Sequence, residues 1–323
     1  MKSLKVFRLQ NQNGMRVEIV NFGARIKSIL FPVCGKGAEM TVGYSDPVDY
    51  LNDPFYLGAI CGRVANRIEN AKFEINGEAY VVSSNEAPNC LHGGEDNFSL
   101  RYWELIEASD NSVKLSLVSP NGDQGFPGDL IVTVTYQLTE ENELSIDFNA
   151  KSNKATPISL TNHAYFNLGD KTCESLKLQI HAQYMLDRKS NGLPSAEIVT
   201  VENTDFDFNS FKHIGESQNT AKNKLLKKMR CYDHCFVLNR NENKLKASLV
   251  SHQNNVQMNV YTDQLAIQLY TGVGLSGPFI PYQGVCLEAQ NYSNAINLPH
   301  FPERILQPEN VYQKNITFEF LAI

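Results

Sequence analysis

Three short segments set titratable or amide side chains among small and apolar ones: Leu91-His92-Gly93-Gly94, Thr161-Asn162-His163-Ala164-Tyr165-Phe166-Asn167-Leu168 and Leu287-Glu288-Ala289-Gln290-Asn291-Tyr292. A carboxylate with an ordinary pKa of about 4.3 and an imidazole near about 6.5 form a pair able to accept and donate protons around neutrality. Period-two alternation places Val285, Leu287 and Ala289 on one strand face, and Cys286, Glu288 and Gln290 on the other. The same arithmetic sets Gln268 opposite Leu265, Ile267 and Leu269. Polar groups projecting from a sheet into a shared cavity would suit a sugar.

Each of these residues also has a purely structural reading. A histidine in a strand commonly serves as a hydrogen-bonded framework residue, His-Gly-Gly is commonly a turn, and a Glu beside Leu and Ala is commonly exposed. Asn66-Arg67 fits a surface pair, and Arg63 or Arg67 fits a structural partner for a carboxylate. Cys231, His234 and Cys235 are spaced like metal ligands but lack a second pair, so no metal is expected. Gly272-Val273-Gly274-Leu275-Ser276-Gly277 lacks the strand and helix context of a dinucleotide loop and reads as a turn.

The elements that must position these groups are strands. Apolar residues alternate with polar ones at Met15/Val17/Ile19, Val113/Leu115/Leu117 and Val132/Val134/Tyr136/Leu138, and the pattern recurs at 144–148, 176–182, 245–249, 256–260, 265–269 and 316–320. Asn76-Gly77 between Phe73-Glu74-Ile75 and Tyr80-Val81-Val82 predicts a two-residue hairpin, because both positions tolerate positive φ. Helical signal is confined to 219–229. Segment 119–129 reads as a loop, and 184–212 as a long connection. The expectation is an all-β fold, one large antiparallel β-sandwich with few short helices, forming a single domain over 1–323.

Composition narrows the function classes. The net charge of −6 argues against a nucleic-acid partner, and no apolar run approaches the roughly 20 residues of a membrane span. Seven cysteines without framework spacing, and no signal-like stretch in residues 1–30, predict a cytoplasmic protein with reduced thiols.

Taken in order, Asn21-Phe22-Gly23-Ala24, Gly62-Arg63-Val64-Ala65-Asn66-Arg67-Ile68, the His92 motif, Ser119-Pro120-Asn121-Gly122-Asp123-Gln124-Gly125-Phe126-Pro127-Gly128, the Thr-Asn-His motif, Leu-Glu-Ala-Gln and Asn297-Leu298-Pro299-His300-Phe301-Pro302 resemble the aldose 1-epimerase (galactose mutarotase) family. The resemblance implies a mutarotase-type supersandwich and the interconversion of α and β anomers of free hexoses such as D-galactose and D-glucose. It makes Glu288 the general base, His163 the general acid and His92 a second imidazole near the ring oxygen. It makes Asn66, Arg67, Asp233 and Gln268 hydrogen-bond partners of the sugar hydroxyls. No cofactor is implied; the partner is a small aldose, and the chain acts as a monomer or homodimer. The family more often has Asn at the position of Cys235, which bears on the packing around Asp233. Opening the ring removes a proton from the C1 hydroxyl as the ring oxygen gains one, so nearby carboxylates are expected to raise the pKa of His163. The alternatives are a non-catalytic sugar-binding protein, a hexose-6-phosphate 1-epimerase needing extra cations, and a glycosidase using Asp233 and Glu288.

Overall fold

A computed structural model describes residues 3–33, 35–240, 244–302 and 305–323. Cys34 lies outside them. Strands dominate, and every strand pair within the sheets is antiparallel. The largest sheet has nine strands among the described residues, with Leu130–Leu138, Glu143–Ser152, Tyr312–Ala322 and Val256–Thr262 at its centre. The chain's last strand is thus hydrogen-bonded between two strands from its middle.

Alternation explains how this sheet faces its core. Leu130, Val132, Val134, Tyr136 and Leu138 are buried, as are Leu144, Ile146, Phe148 and Ala150, while Ile131 between them is exposed. Each fully buried Val, Leu or Ile adds roughly 1.5–3 kcal/mol of hydrophobic stabilisation. Against this inner face lies a six-stranded sheet ordered Tyr165–Phe166, Val285–Gln290, Ala266–Tyr270, Asp233–Val237, Tyr184–Arg188 and Pro194–Thr200. Ile267, Leu269, Val285, Leu287 and Ala289 join the same hydrophobic cluster as the large sheet's inner residues. The opposite face of the small sheet is left to carry Gln268 and Glu288. A four-stranded sheet from Val6 to Glu39 contributes Met15, Val17 and Ile19 to that core.

The Asn76-Gly77 turn forms as expected, joining Lys72–Ile75 to Glu78–Val81 with φ of 52° and 83°. Two expectations are corrected. The long connection of 184–212 contains two paired strands, Tyr184–Arg188 and Pro194–Thr200, whose scattered polar residues mask the alternation. The helix over 219–229 is instead two six-residue helices, Ile214–Asn219 and Lys224–Met229. Asn223 ends any continuity: its side chain caps the second helix by accepting from the Leu225 and Leu226 N–H groups.

Candidate active site

Glu288 and Gln268 sit directly opposite each other on neighbouring strands, and Gln268 in turn faces Cys235 on the next strand. This register lines up Glu288, Gln268 and Asp233 on the sheet face turned away from the core, at the floor of a cleft of about 490 Å³. Asn66, His92 and His163 enter the same cleft from loops, Arg67 from the short strand Arg67–Ile68, and Tyr56, Tyr165, Tyr270 and Cys231 also line it. All seven residues singled out from the sequence are therefore neighbours.

His163 follows the short strand Thr161–Asn162, and its backbone N–H donates to Ala59 while its carbonyl accepts from Gly58. Asn162 stiffens the turn by donating to the Gly58 carbonyl and accepting from the Ala164 N–H. The His163 Nε2 lies 3.5 Å from Glu288 Oε1. Among the described residues Glu288 Oε2 has no hydrogen-bond partner, although the side chain is almost fully buried. A buried carboxyl oxygen without a partner is costly to keep unless something else uses it.

His92 is held by an exchange of two hydrogen bonds. Its N–H donates to the Asn66 carbonyl at 2.9 Å, and the Asn66 N–H donates to His92 Nδ1 at 3.2 Å. Because Nδ1 accepts, the neutral ring carries its hydrogen on Nε2, a donor directed by the backbone. Gly93 makes the approach possible: it has φ of 97°, and a Cβ there would meet the Gly62 carbonyl oxygen at 2.1 Å. The rings of Tyr56 and His92 lie 4.7 Å apart, and those of Tyr56 and His163 5.8 Å apart.

The polar flank is prearranged. Arg67 grips Glu86 bidentately, Nε to Oε2 at 2.5 Å and Nη2 to Oε1 at 2.7 Å. Asp233 accepts from Gln268 Nε2 at 2.5 Å and from Arg188 Nη2 at 2.9 Å. The Asn66 side-chain oxygen accepts from Ser293 and from the Arg67 N–H. Cys235 packs with Leu186, Leu265 and Tyr292 in a hydrophobic cluster.

Protonation follows burial more than charge. Burial pushes the His163 imidazole down to about 4, against smaller upward contributions from its own backbone and from Asp233. A carboxylate, Asp233, does pull it upward as expected, but the net rise is overturned, because the ring is enclosed by Tyr56, Tyr165 and His92. His92 is also driven well below its usual value, by burial and then by His163 and Arg67. Glu288 is raised well above a normal carboxyl, chiefly by burial and next by Asp233, with Arg67 opposing. Burial would raise Asp233 too, but Arg188, Arg67, His234 and the Gln268 hydrogen bond together hold it low. Burial thus works against the charged form of both His163 and Glu288.

Ligating atoms of His92, His163 and Glu288 lie within 4.8 Å of one another, compact enough to raise the question of a cation. The tautomer of His92 answers it, since a ring whose Nδ1 accepts a backbone N–H has no lone pair to offer on Nε2. Cys231, His234 and Cys235 do not converge: Cys231 lines the cleft, His234 packs on Phe206, and Cys235 lies in a hydrophobic cluster. Arg63 has a framework role. It donates to Ser119, Pro120, Pro127, Gly128 and Thr156 and pins the 119–128 loop.

Tyr56, Tyr165, Tyr270, Glu86 and Arg188 escaped sequence reasoning. Tyr56 stands alone with φ of 59° in a loop, and Glu86 sits in a polar run where nothing distinguishes it from a surface residue.

Fold and cleft together define a β-sandwich with a polar cleft whose floor carries titratable groups. Residues 5–319 match the family model for aldose 1-epimerase. The aldose 1-epimerase of Escherichia coli K12 is 34% identical over 98% of this chain and 95% of its own. The galactose mutarotase of Homo sapiens is 33% identical over 98% and 94%. Among solved structures, a GalM/aldose epimerase homologue from C. elegans superposes with a TM-score of 0.94 at 28% identity, covering 99% of this chain and 100% of that one. A galactose 1-epimerase from Lactobacillus acidophilus gives 0.88 at 29% identity, over 98% and 94%. The chain belongs to the aldose 1-epimerase family, and its activity is the interconversion of sugar anomers.

Proposed function

We propose that Glu288 and His163 carry the proton transfers, with His92 as a fixed neutral donor, on a free hexose such as D-galactose or D-glucose. The observation that carries this reading is the 3.5 Å approach of Glu288 Oε1 to His163 Nε2 at the floor of the cleft. Ring opening starts once the pair's one proton has passed from Glu288 to His163 Nε2: the Glu288 carboxylate takes the proton from the C1 hydroxyl, and His163 gives its Nε2 proton to the ring oxygen as the C1–O5 bond breaks. The pair is now a carboxylic acid and a neutral imidazole, the arrangement that burial favours. The free aldehyde rotates about C1–C2. Glu288 then returns a proton to the carbonyl oxygen while His163 removes the one on O5, and the ring closes on the other face. One proton shared by the pair serves both directions, so its titration belongs to the pair.

Asp233, Gln268, Arg67 and Asn66 hold the hydroxyls, and Tyr56, Tyr165 and Tyr270 offer rings to the sugar's apolar surface. The cleft favours an unphosphorylated substrate, since Arg67 is the sole cation among its lining residues and is already neutralised by Glu86. The glycosidase alternative is weakened because Asp233 is clamped by Arg188 and Gln268, not poised for attack.

The chain works as one domain over 1–323, supported by a hydrophobic cluster that draws residues from Leu9 to Phe320. It acts as a monomer or homodimer. A cytoplasmic setting is supported by the six free, buried thiols among the described residues. Among the described residues no helix is long and apolar enough to cross a membrane.

Polarimetry of freshly dissolved α-D-galactose and α-D-glucose tests this reading. A positioned proton transfer contributes about 10²- to 10⁴-fold. Glu288→Gln and His163→Asn, each shown to be folded, are expected to lose at least about a hundredfold in kcat/KM. Folded variants within about tenfold of wild type would remove the pair from the mechanism.

A further inference from the structure

We infer that Arg188 is a positioning residue that fixes the charge and orientation of Asp233, and through it the binding of the sugar. This deepens the reading above and rests on Asp233 as a substrate contact. The strand Tyr184–Arg188 pairs with Asp233–Val237 through Tyr184↔Val237 and Met185↔Phe236, which brings its last residue beside Asp233. Arg188 does not line the main cleft. It lies in a small adjoining recess with Asp187, Ser293, Asn66, Asp233 and Gln268. From there Nη2 donates to Asp233 Oδ2 at 2.9 Å, while Nη1 donates to Met229 Sδ at 3.0 Å and to the Lys189 carbonyl at 3.3 Å. The guanidinium is anchored on both arms.

Each oxygen of Asp233 thus has one protein donor, Gln268 on Oδ1 and Arg188 on Oδ2, and retains acceptor capacity for hydroxyls. The charged and titratable groups around Asp233 are Arg188 and Asp187 on one side, Arg67 from the short strand Arg67–Ile68 and His163 from a loop, Glu288 and Tyr270 on the neighbouring strands, and Cys231, His234 and Cys235 on its own segment. Burial opposes the charge on Asp233, and Arg188 is the largest contribution sustaining it. The charge of Asp233 acts in turn on Glu288 and His163, raising both. Arg188 consequently reaches the acid–base pair without touching substrate.

The test compares KM and kcat of the full chain on D-galactose across pH for wild type, Arg188→Met, Arg188→Lys, Asp233→Asn and the Arg188→Met/Asp233→Asn pair. A hydrogen bond to a charged group corresponds to a change of about tenfold or more. Arg188→Met is expected to raise KM by about that factor with kcat less affected. Its KM should climb further as pH falls and Asp233 takes up a proton, and Arg188→Lys should recover much of the loss. In the Asp233→Asn background, Arg188→Met should add nothing. An unchanged KM in Arg188→Met alongside a raised one in Asp233→Asn would overturn the role of Arg188 alone. Additive losses in the double variant would also overturn it. An unchanged KM in Asp233→Asn would overturn the substrate contact itself. Should Arg188→Met not fold, Arg188→Gln carries the same comparison.

Discussion

Glu288 is stored in the folded chain in a form that water would not favour. Its raised pKa means that the native state binds a proton more tightly than the unfolded state does. The sign follows: stability is full below the ordinary carboxyl value of about 4.5, declines as pH rises from there to the folded pKa, and is flat beyond. Glu288→Gln removes this titration, so its melting temperature should overtake that of wild type as pH rises. The advantage grows by up to about 1.4 kcal/mol per pH unit across that window. Thermal melts at pH 5, 7 and 8 check it; a difference that does not grow with pH would contradict the raised pKa. Activity should follow a bell. It falls on the acid side as the pair gains a second proton near the His163 value of about 4, and on the alkaline side as the pair loses its only one. Initial rates between pH 3.5 and 9 would show both limbs.

Loops, not strands, bring in the two imidazoles, and the demands on those loops are strict. Gly93 combines a positive φ with an approach that leaves no room for a methyl group beside Gly62. Gly93→Ala is expected to displace His92, lowering kcat/KM by roughly tenfold or more because a shift of about 1 Å at a reacting group is that damaging. A variant that keeps wild-type polarimetric rates would show that the loop can yield. Glu86 acts at the same scale by fixing Arg67 in a bidentate grip. Glu86→Gln should loosen Arg67 and raise KM several-fold, with little effect on kcat, since a flexible cation loses orientation more than chemistry.

Across the whole molecule, Arg63 ties distant segments together. Its guanidinium donates to carbonyls of the 119–128 loop and to Thr156, and lies over the Phe126 ring. Arg63→Met would leave several buried carbonyls unpaired, at about 1–3 kcal/mol each. The expected loss is on the order of 3 kcal/mol or more, read by urea denaturation, with a residual kcat/KM near wild type in whatever fraction stays folded.

Period-two alternation determined, from sequence alone, that Val285, Leu287 and Ala289 face the core and that Glu288 faces the other way, because side chains on a strand must alternate. It determined the Asn76-Gly77 turn for a similarly local reason. The ordered motifs from Asn21 to Pro302 carried the family. What alternation could not show is that both faces of the Glu288 strand are buried, the second one by loops folding over it. That enclosure is a tertiary fact, and it reverses the expected pKa of His163, since desolvation by surrounding rings outweighs the attraction of carboxylates. Arg188 and Glu86 were illegible for the same reason: a charged residue in a polar stretch reads as solvent-exposed until the fold supplies its partner.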